Sequence, residues 1–207
     1  MKTSLLMFFL FAPWAAFGEP VPIFDGKTFD GWEGEITEVW RIENEEIRGG
    51  SMEGNPQNEF LVTKKAYRNF RLALEYKLNG SEGLVNGGVQ FHSKRLAQPA
   101  HEMIGFQADL GAGYTGNLYD ESRRNKMLAS ADPALVTRLE KPGEWNRYEI
   151  HAEDNRFRII LNGTQTIDYS ETDPAIPLEG QIGLQIHGGC KAVIAFRNLK
   201  IEEIPAK

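Results

Sequence analysis

"RFRIILNGTQTIDY", residues 156–169, sets two extended segments on either side of Asn162-Gly163, and that dipeptide is the strongest short signal for a tight β-hairpin. The same grammar runs outward from it. "FRLALEYKL" places Phe70, Leu72, Leu74, Tyr76 and Leu78 on one face, with Arg71, Glu75 and Lys77 opposite. "RYEIHAE" alternates Tyr148, Ile150 and Ala152 against Arg147, Glu149 and His151, while "QIGLQIHGG" and "KAVIAFRNLKIEEI" supply two more strands. Only "ESRRNKMLASADPALVTRL" has room for a helical turn or two. "IFDGKTFDGWEG" reads as turns, with Trp32 and Trp40 closing one end of the core, and Trp145 is expected in the core rather than as a sugar platform. Many short antiparallel strands separated by glycine-rich turns indicate an all-β fold, a two-sheet antiparallel jelly-roll sandwich.

The chain has 207 residues, 41% hydrophobic and 25% charged, which suits an ordered globular protein. A formal net charge of -6 supplies no basic footprint for nucleic acid, nor a polybasic membrane surface. Lys2 followed by an apolar run from Leu5 to Phe17, then Ala16 and Gly18 at the small positions before a cut, reads as a secretory signal peptide over residues 1–18. An uncleaved apolar anchor is the other reading. Residues 19–207 are then expected as a single domain outside the cytoplasm, periplasmic or extracellular, with no membrane contact once the leader is gone. The one cysteine, Cys190, closes no disulfide; three residues from His187 in a strand it faces the other way, as a half-buried free thiol.

Three strands share one local design. Gln90 and His92, Gln107 and Asp109, and Gln185 and His187 each stand two residues apart, so each pair projects from one face of its strand. Phe91, Ala108 and Ile186 would then enter the core. Buried without partners, each polar group would cost roughly 1–3 kcal/mol, so the three pairs are expected to meet water, one another or a ligand.

At these residues the chain resembles the 3-keto-disaccharide hydrolase domain family. The resemblance runs in order through "FDGKTFDGW", "NEFLVTKKAYRNFRLALEYKL", "NGGVQFHSKR", "HEMIGFQADLGAGYTGNLYDESRRNKML", "GEWNRYEIHAEDNRFRIILNG" and "GQIGLQIHGG", from about Ile23 to Ile204. It implies a concanavalin A-like lectin/glucanase sandwich, common in secreted bacterial proteins. It also implies action on glycosides oxidised to a ketone at sugar carbon 3, as hydrolase or as lyase. One departure is Asn86-Gly87-Gly88, where many relatives carry Asn-Ser-Gly.

A ketone at carbon 3 acidifies the hydrogen on carbon 2. A base removes it, the glycosidic oxygen leaves carbon 1, and water adds back. The catalytic candidates are His92, Asp109, His187 and Glu102. Glu102 stands five residues before Gln107, so strict alternation sends it to the wrong face unless a bulge at Gly105 intervenes. Gln90, Gln107 and Gln185 are candidate donors to sugar hydroxyls, joined by Tyr119 and Arg123 from the loop "GNLYDESRRNK". No cofactor is signalled; a divalent metal ion, if one binds, would take His92, Asp109 and His187. A carbohydrate is the expected partner, with no protein partner indicated. The alternative reading is a non-catalytic carbohydrate-binding module, since the same sandwich hosts lectins.

Overall fold

The computed structural model describes residues 18–111 and 113–205, so the leader read at residues 1–18 lies, apart from Gly18, outside the described residues. In chain order the first strands are β1 (Val21–Pro22), β2 (Trp32–Glu33), β3 (Trp40–Glu43), β4 (Glu46–Asn55), β5 (Glu59–Tyr67), β6 (Phe70–Gly83) and β7 (Asn86–Arg95). They are followed by β8 (Met103–Gly111), β9 (Leu118–Glu121), β10 (Lys126–Ala129), the helix α1 (Pro133–Leu139), β11 (Asn146–Glu153), β12 (Arg156–Leu161), β13 (Thr164–Ser170), β14 (Gly180–Ile186) and β15 (Cys190–Glu203). One sheet has the order β13-β12-β11-β6-β15-β4-β3, with β1 added to β15; the other has the order β10-β9-β8-β7-β14-β5-β2. Every named strand pairing is antiparallel. The fold is the all-β two-sheet sandwich that the alternating segments require.

The hairpin at Asn162-Gly163 joins β12 to β13, with both turn residues at positive φ (48° and 83°) as its handedness demands. The short helix begins at Asp132, whose carboxylate accepts the Ala134 N–H, and Pro133 follows at a position that needs no N–H.

The core lies between the sheets. From the first sheet come Phe70, Leu72, Leu74, Tyr148, Ile150, Phe157 and Ile159; from the second come Leu61, Leu184, Val89, Phe91, Phe106, Ala108 and Leu118, all buried. Fully burying a side chain of this size is worth about 1.5–3 kcal/mol, so these rows fix the register. Trp32 and Trp40 are both buried, on the edge strands β2 and β3, and close the same lateral edge of the sandwich. Trp145 departs from expectation. It stands before β11 beside the outward-facing Lys77, half-buried, with the Arg197 guanidinium 4.0 Å and the Lys77 ammonium 4.6 Å from its ring centre. The alternation of β11 puts Tyr148 and Ile150 inward and leaves Trp145 on the outer face of the first sheet, under a cation.

Candidate active site

Inter-strand register assembles a polar row on the outer face of the second sheet. Gln90 is paired with Gln107, Gly88 with Asp109, and Gln185 with Gly88, while Gln107 is paired with Tyr119 on β9. The row is joined by hydrogen bonds of one polarity. The Ser93 hydroxyl donates to Gln90 Oε1 (2.6 Å), Gln90 Nε2 donates to Gln107 Oε1 (3.0 Å), and Gln107 Nε2 donates to Asp109 Oδ1 (2.8 Å). Gln107 fits because Gly88 beneath it has no side chain; a Cβ there would stand 2.7 Å from Gln107 Cγ and Cδ. Gly87 faces the other way, where a Cβ would meet the Gln185 carbonyl and Ile194, so the hydroxyl of an Asn-Ser-Gly pattern would find no room on that side.

Asp109 ends this chain almost wholly buried. Burial raises its pKa to about 7 against the opposing pull of the Gln107 N–H, with a further push from the negative charge of Glu121. Glu121 follows Tyr119 by two residues on β9 and shares its face; burial and the charge of Glu102 raise it to about 7 as well. Tyr119, half-buried beside them, is raised by burial first and then by Glu121, Asp109 and Asp120. Glu121 lies in the loop segment "GNLYDESRRNK" but is not among the expected site residues, although it stands two residues from Tyr119 in the same spacing that marks the glutamine pairs.

The tip of the β7–β8 hairpin crosses this face. Met103 of β8 packs against Phe60 and Val62 of β5, two intervening strands away. Arg95 donates to the Phe60 carbonyl (2.9 Å), and Asn58 Nδ2 donates to Glu102 Oε1 (2.9 Å). Strands lie about 4.8 Å apart, so no side chain alone spans that gap; the hairpin itself folds over. The bend lies where His92 and Ser93 of β7 together oppose Gly105 of β8. The bulge expected around Gly105 is therefore present with its extra residue on the partner strand, and it brings Glu102 across the outer face to Asn58.

The same bulge overturns the placement of His92. With φ of 45° its ring turns inward, away from Gln90, into a box of Phe70, Phe91, Phe106 and Phe157 with ring centres 5.5–6.4 Å away. Nε2 lies 2.6 Å from the Arg68 carbonyl and carries the hydrogen, while Nδ1 is buried without a partner among the described residues. Burial first, and then the charges of Arg68 and Arg123, hold its pKa down at about 4 against the Arg68 carbonyl. Arg123 also departs from expectation. Its guanidinium lies 4.5 Å from the ring centre of the inward-facing Phe106 and 2.7 Å from Asp120, on the core side of β8 and β9 and not beside Gln107. His187 lies just past β14, at the rim of the polar row, its Nδ1 2.6 Å from the Gly188 carbonyl; Asn58 Oδ1 accepts the Gly188 N–H (2.9 Å) and so ties this rim to Glu102. His92, Asp109 and His187 thus form no common site, and among the described residues no group of three or more His, Cys, Asp or Glu side chains could hold a metal ion. Cys190, free and buried, donates its S–H to the His187 carbonyl at 3.0 Å.

A neutral buried His92 makes stability pH-dependent with a definite sign. Its folded pKa lies below the unfolded 6.5, so the unfolded chain takes up a proton that the folded one refuses. The stabilising contribution is present above 6.5 and is lost as pH falls toward about 4. Relative to His92→Asn, which tolerates a left-handed backbone, the wild type should lose roughly 3 kcal/mol across that interval in urea titrations.

Gln185 is fully buried between Phe60 and Gly88, and neither its amide nitrogen nor its oxygen has a partner among the described residues. Gln185→Leu removes two unpaired groups at little change in volume. It is expected to raise stability by about 1–2 kcal/mol, read as a higher urea midpoint.

Residues 19–202 match the model of the 3-keto-alpha-glucoside-1,2-lyase-like domain. The chain is 26% identical over 156 residues to the 3-keto-disaccharide hydrolase of Bacteroides thetaiotaomicron, covering 63% of this chain and 51% of that protein, so it spans about half the length of the curated relative it matches. A candidate glycosyl hydrolase from Parabacteroides distasonis superposes with a TM-score of 0.66 at 20% identity, over 88% of this chain and 93% of that one. The carbohydrate-binding module CBM66 from Bacillus subtilis superposes with a TM-score of 0.64 at 19% identity, over 84% and 96%. At such identities the structural likeness establishes the lectin-type sandwich and nothing more.

Proposed function

Because the chain belongs to the 3-keto-alpha-glucoside-1,2-lyase-like domain family, we propose that it is a secreted enzyme cleaving 3-keto-glycosides, with Asp109 as the base that removes the hydrogen from sugar carbon 2. The observation that carries this reading is the carboxyl itself: Asp109 is buried on a polar face, oriented by Gln107, and held at about 7, where a base must sit to work near neutrality.

The charge of Glu121 opposes the ionisation of Asp109, and burial with the charge of Glu102 raises Glu121 to about 7 in its turn, so Glu121 still carries a proton over part of the range in which Asp109 ionises. The Gln107 N–H favours the charge on Asp109, which makes Asp109 the base and leaves Glu121 as the acid for the departing glycosidic oxygen. Loss of the aglycone from carbon 1 then leaves a double bond between carbons 1 and 2. Glu121, now a carboxylate, takes a proton from a water whose hydroxyl adds to carbon 1, and Asp109 returns its proton to carbon 2. Tyr119, half-buried on the same face, is the side chain we assign to contact with the sugar.

The test is release of a chromogenic aglycone from a 3-keto-glucoside, run beside the unoxidised glucoside and with and without chelator. Release from the keto compound alone supports elimination. Binding of either sugar without release would make the protein a binding module, and release from the unoxidised glucoside would overturn the keto requirement.

A further inference from the structure

We propose that Ser93, Gln90 and Gln107 form a reversible hydrogen-bond relay that serves Asp109 in both of its protonation states by turning over two side-chain amides. This rests on the reading of Asp109 as a group that takes up a proton and returns it, and it makes the three residues positioning residues.

In the arrangement described above every hydrogen points toward Asp109, which accepts as a carboxylate. A second arrangement exists on the same heavy-atom positions. The Ser93 oxygen lies 2.6 Å from Gln90 Oε1 but also 2.8 Å from the Phe91 carbonyl, so its single hydrogen can serve either. With that hydrogen on Phe91, the hydroxyl oxygen accepts. Gln90 turns its amide over and donates to Ser93; Gln107 turns over and donates to Gln90; the Gln107 oxygen then faces Asp109. That oxygen accepts only if Asp109 carries a hydrogen. One polarity matches the carboxylate and the other the carboxylic acid, and no bond to hydrogen breaks along the relay in passing between them.

Two features make the change concerted. Gln90, Gln107 and Ser93 are 0%, 3% and 2% exposed, so water cannot take the place of a missing partner, and a single reversed amide would set two donors or two acceptors against each other. Gln107 lies directly over the bare Gly88, and an amide turned about its last bond exchanges nitrogen and oxygen on nearly the same positions. Glutamine suits the task because its amide presents a donor and an acceptor of nearly the same shape. The titratable groups acting on Asp109 are Glu121 and Tyr119 from β9, on its own face, and Tyr148 from β11, whose hydroxyl donates to the Asp109 backbone carbonyl.

The experiment is NMR titration of the full, substrate-free protein, isotope-labelled at glutamine side-chain nitrogen and aspartate carboxyl carbon, across neutrality. The amide resonances of Gln90 and Gln107 should move with the same midpoint as the Asp109 carboxyl carbon. In Ser93→Ala Gln90 Oε1 loses the hydroxyl donor that anchors the polarity suited to the carboxylate, and the Asp109 midpoint should rise by about one pH unit. If that variant does not fold, the wild-type titration decides. Asp109 titrating while Gln90 stays fixed, or not titrating at all, overturns the relay. Because no substrate is present, coupled titration in a protein that fails to cleave 3-keto-glycosides would keep the relay and discard the proposed reaction.

Discussion

Asp109→Asn is expected to lower kcat for 3-keto-glycoside cleavage by about 10²–10⁴-fold while making the folded protein more stable above neutral pH. The two effects share a cause. Asparagine cannot take the carbon 2 hydrogen, yet it keeps the shape of aspartate and an oxygen for the Gln107 N–H. On the stability side, the folded pKa of Asp109 lies at about 7, above the unfolded 3.8, so the folded state binds a proton that the unfolded state releases between those values. Stability contributed by the neutral acid is therefore present below 3.8 and lost as pH rises through about 7. The variant, which never ionises, escapes that loss. Urea midpoints of the two proteins should converge toward acid pH and separate above neutrality, with the variant ahead. A mainly structural Asp109 would give the reverse, lower stability together with lower activity. In the wild type, kcat/KM should rise and then fall with pH around neutrality, because the reaction needs Asp109 charged while Glu121 still holds its proton.

What alternation could reach in the sequence, it reached. Gln90, Gln107, Asp109 and Gln185 share one face because β8 and β14 carry their pairs in regular extended backbone, and the rows opposite fill the core. The reading failed where one residue departs from that backbone. A left-handed φ at His92 shifts everything after it on β7, so the histidine turns into the core and Ser93 takes its place beside Gln90. Periodicity cannot foresee such a residue, because positive φ is uncommon outside glycine even for histidine, where it is several-fold enriched. Arg123 was drawn to the site by its loop, but the loop follows a strand on which Asp120 faces inward, and both Arg123 and Arg124 fold back to Asp120. The contact between Asn58 and Glu102 has no local signal, since 44 residues separate them and only the crossing of the hairpin brings them together.

Gly105→Ala is expected to cost about 3 kcal/mol and to remove most of the activity, because a single methyl group there would undo that crossing. A Cβ at Gly105 would stand 2.1 Å from Ser93 Oγ and 2.7 Å from Ser93 Cα, and its φ of 151° disfavours any side chain. Ser93 cannot yield: its hydroxyl is held by Gln90 and Phe91, and its backbone forms the bulge. Moving the strands apart instead would straighten the hairpin, releasing Met103 from Phe60 and Val62, Arg95 from the Phe60 carbonyl, and Glu102 from Asn58. Gly54→Ala separates the two contributions. Gly54 has a similar φ of 144° and a methyl group added there would meet nothing within 4 Å, so it reports backbone strain alone, expected at about 1 kcal/mol. The difference between the variants in urea midpoint measures the close approach of β7 and β8. Equal losses would mean that the hairpin crosses the face without needing glycine at its bend, and the position of Glu102 would then rest on Asn58 alone.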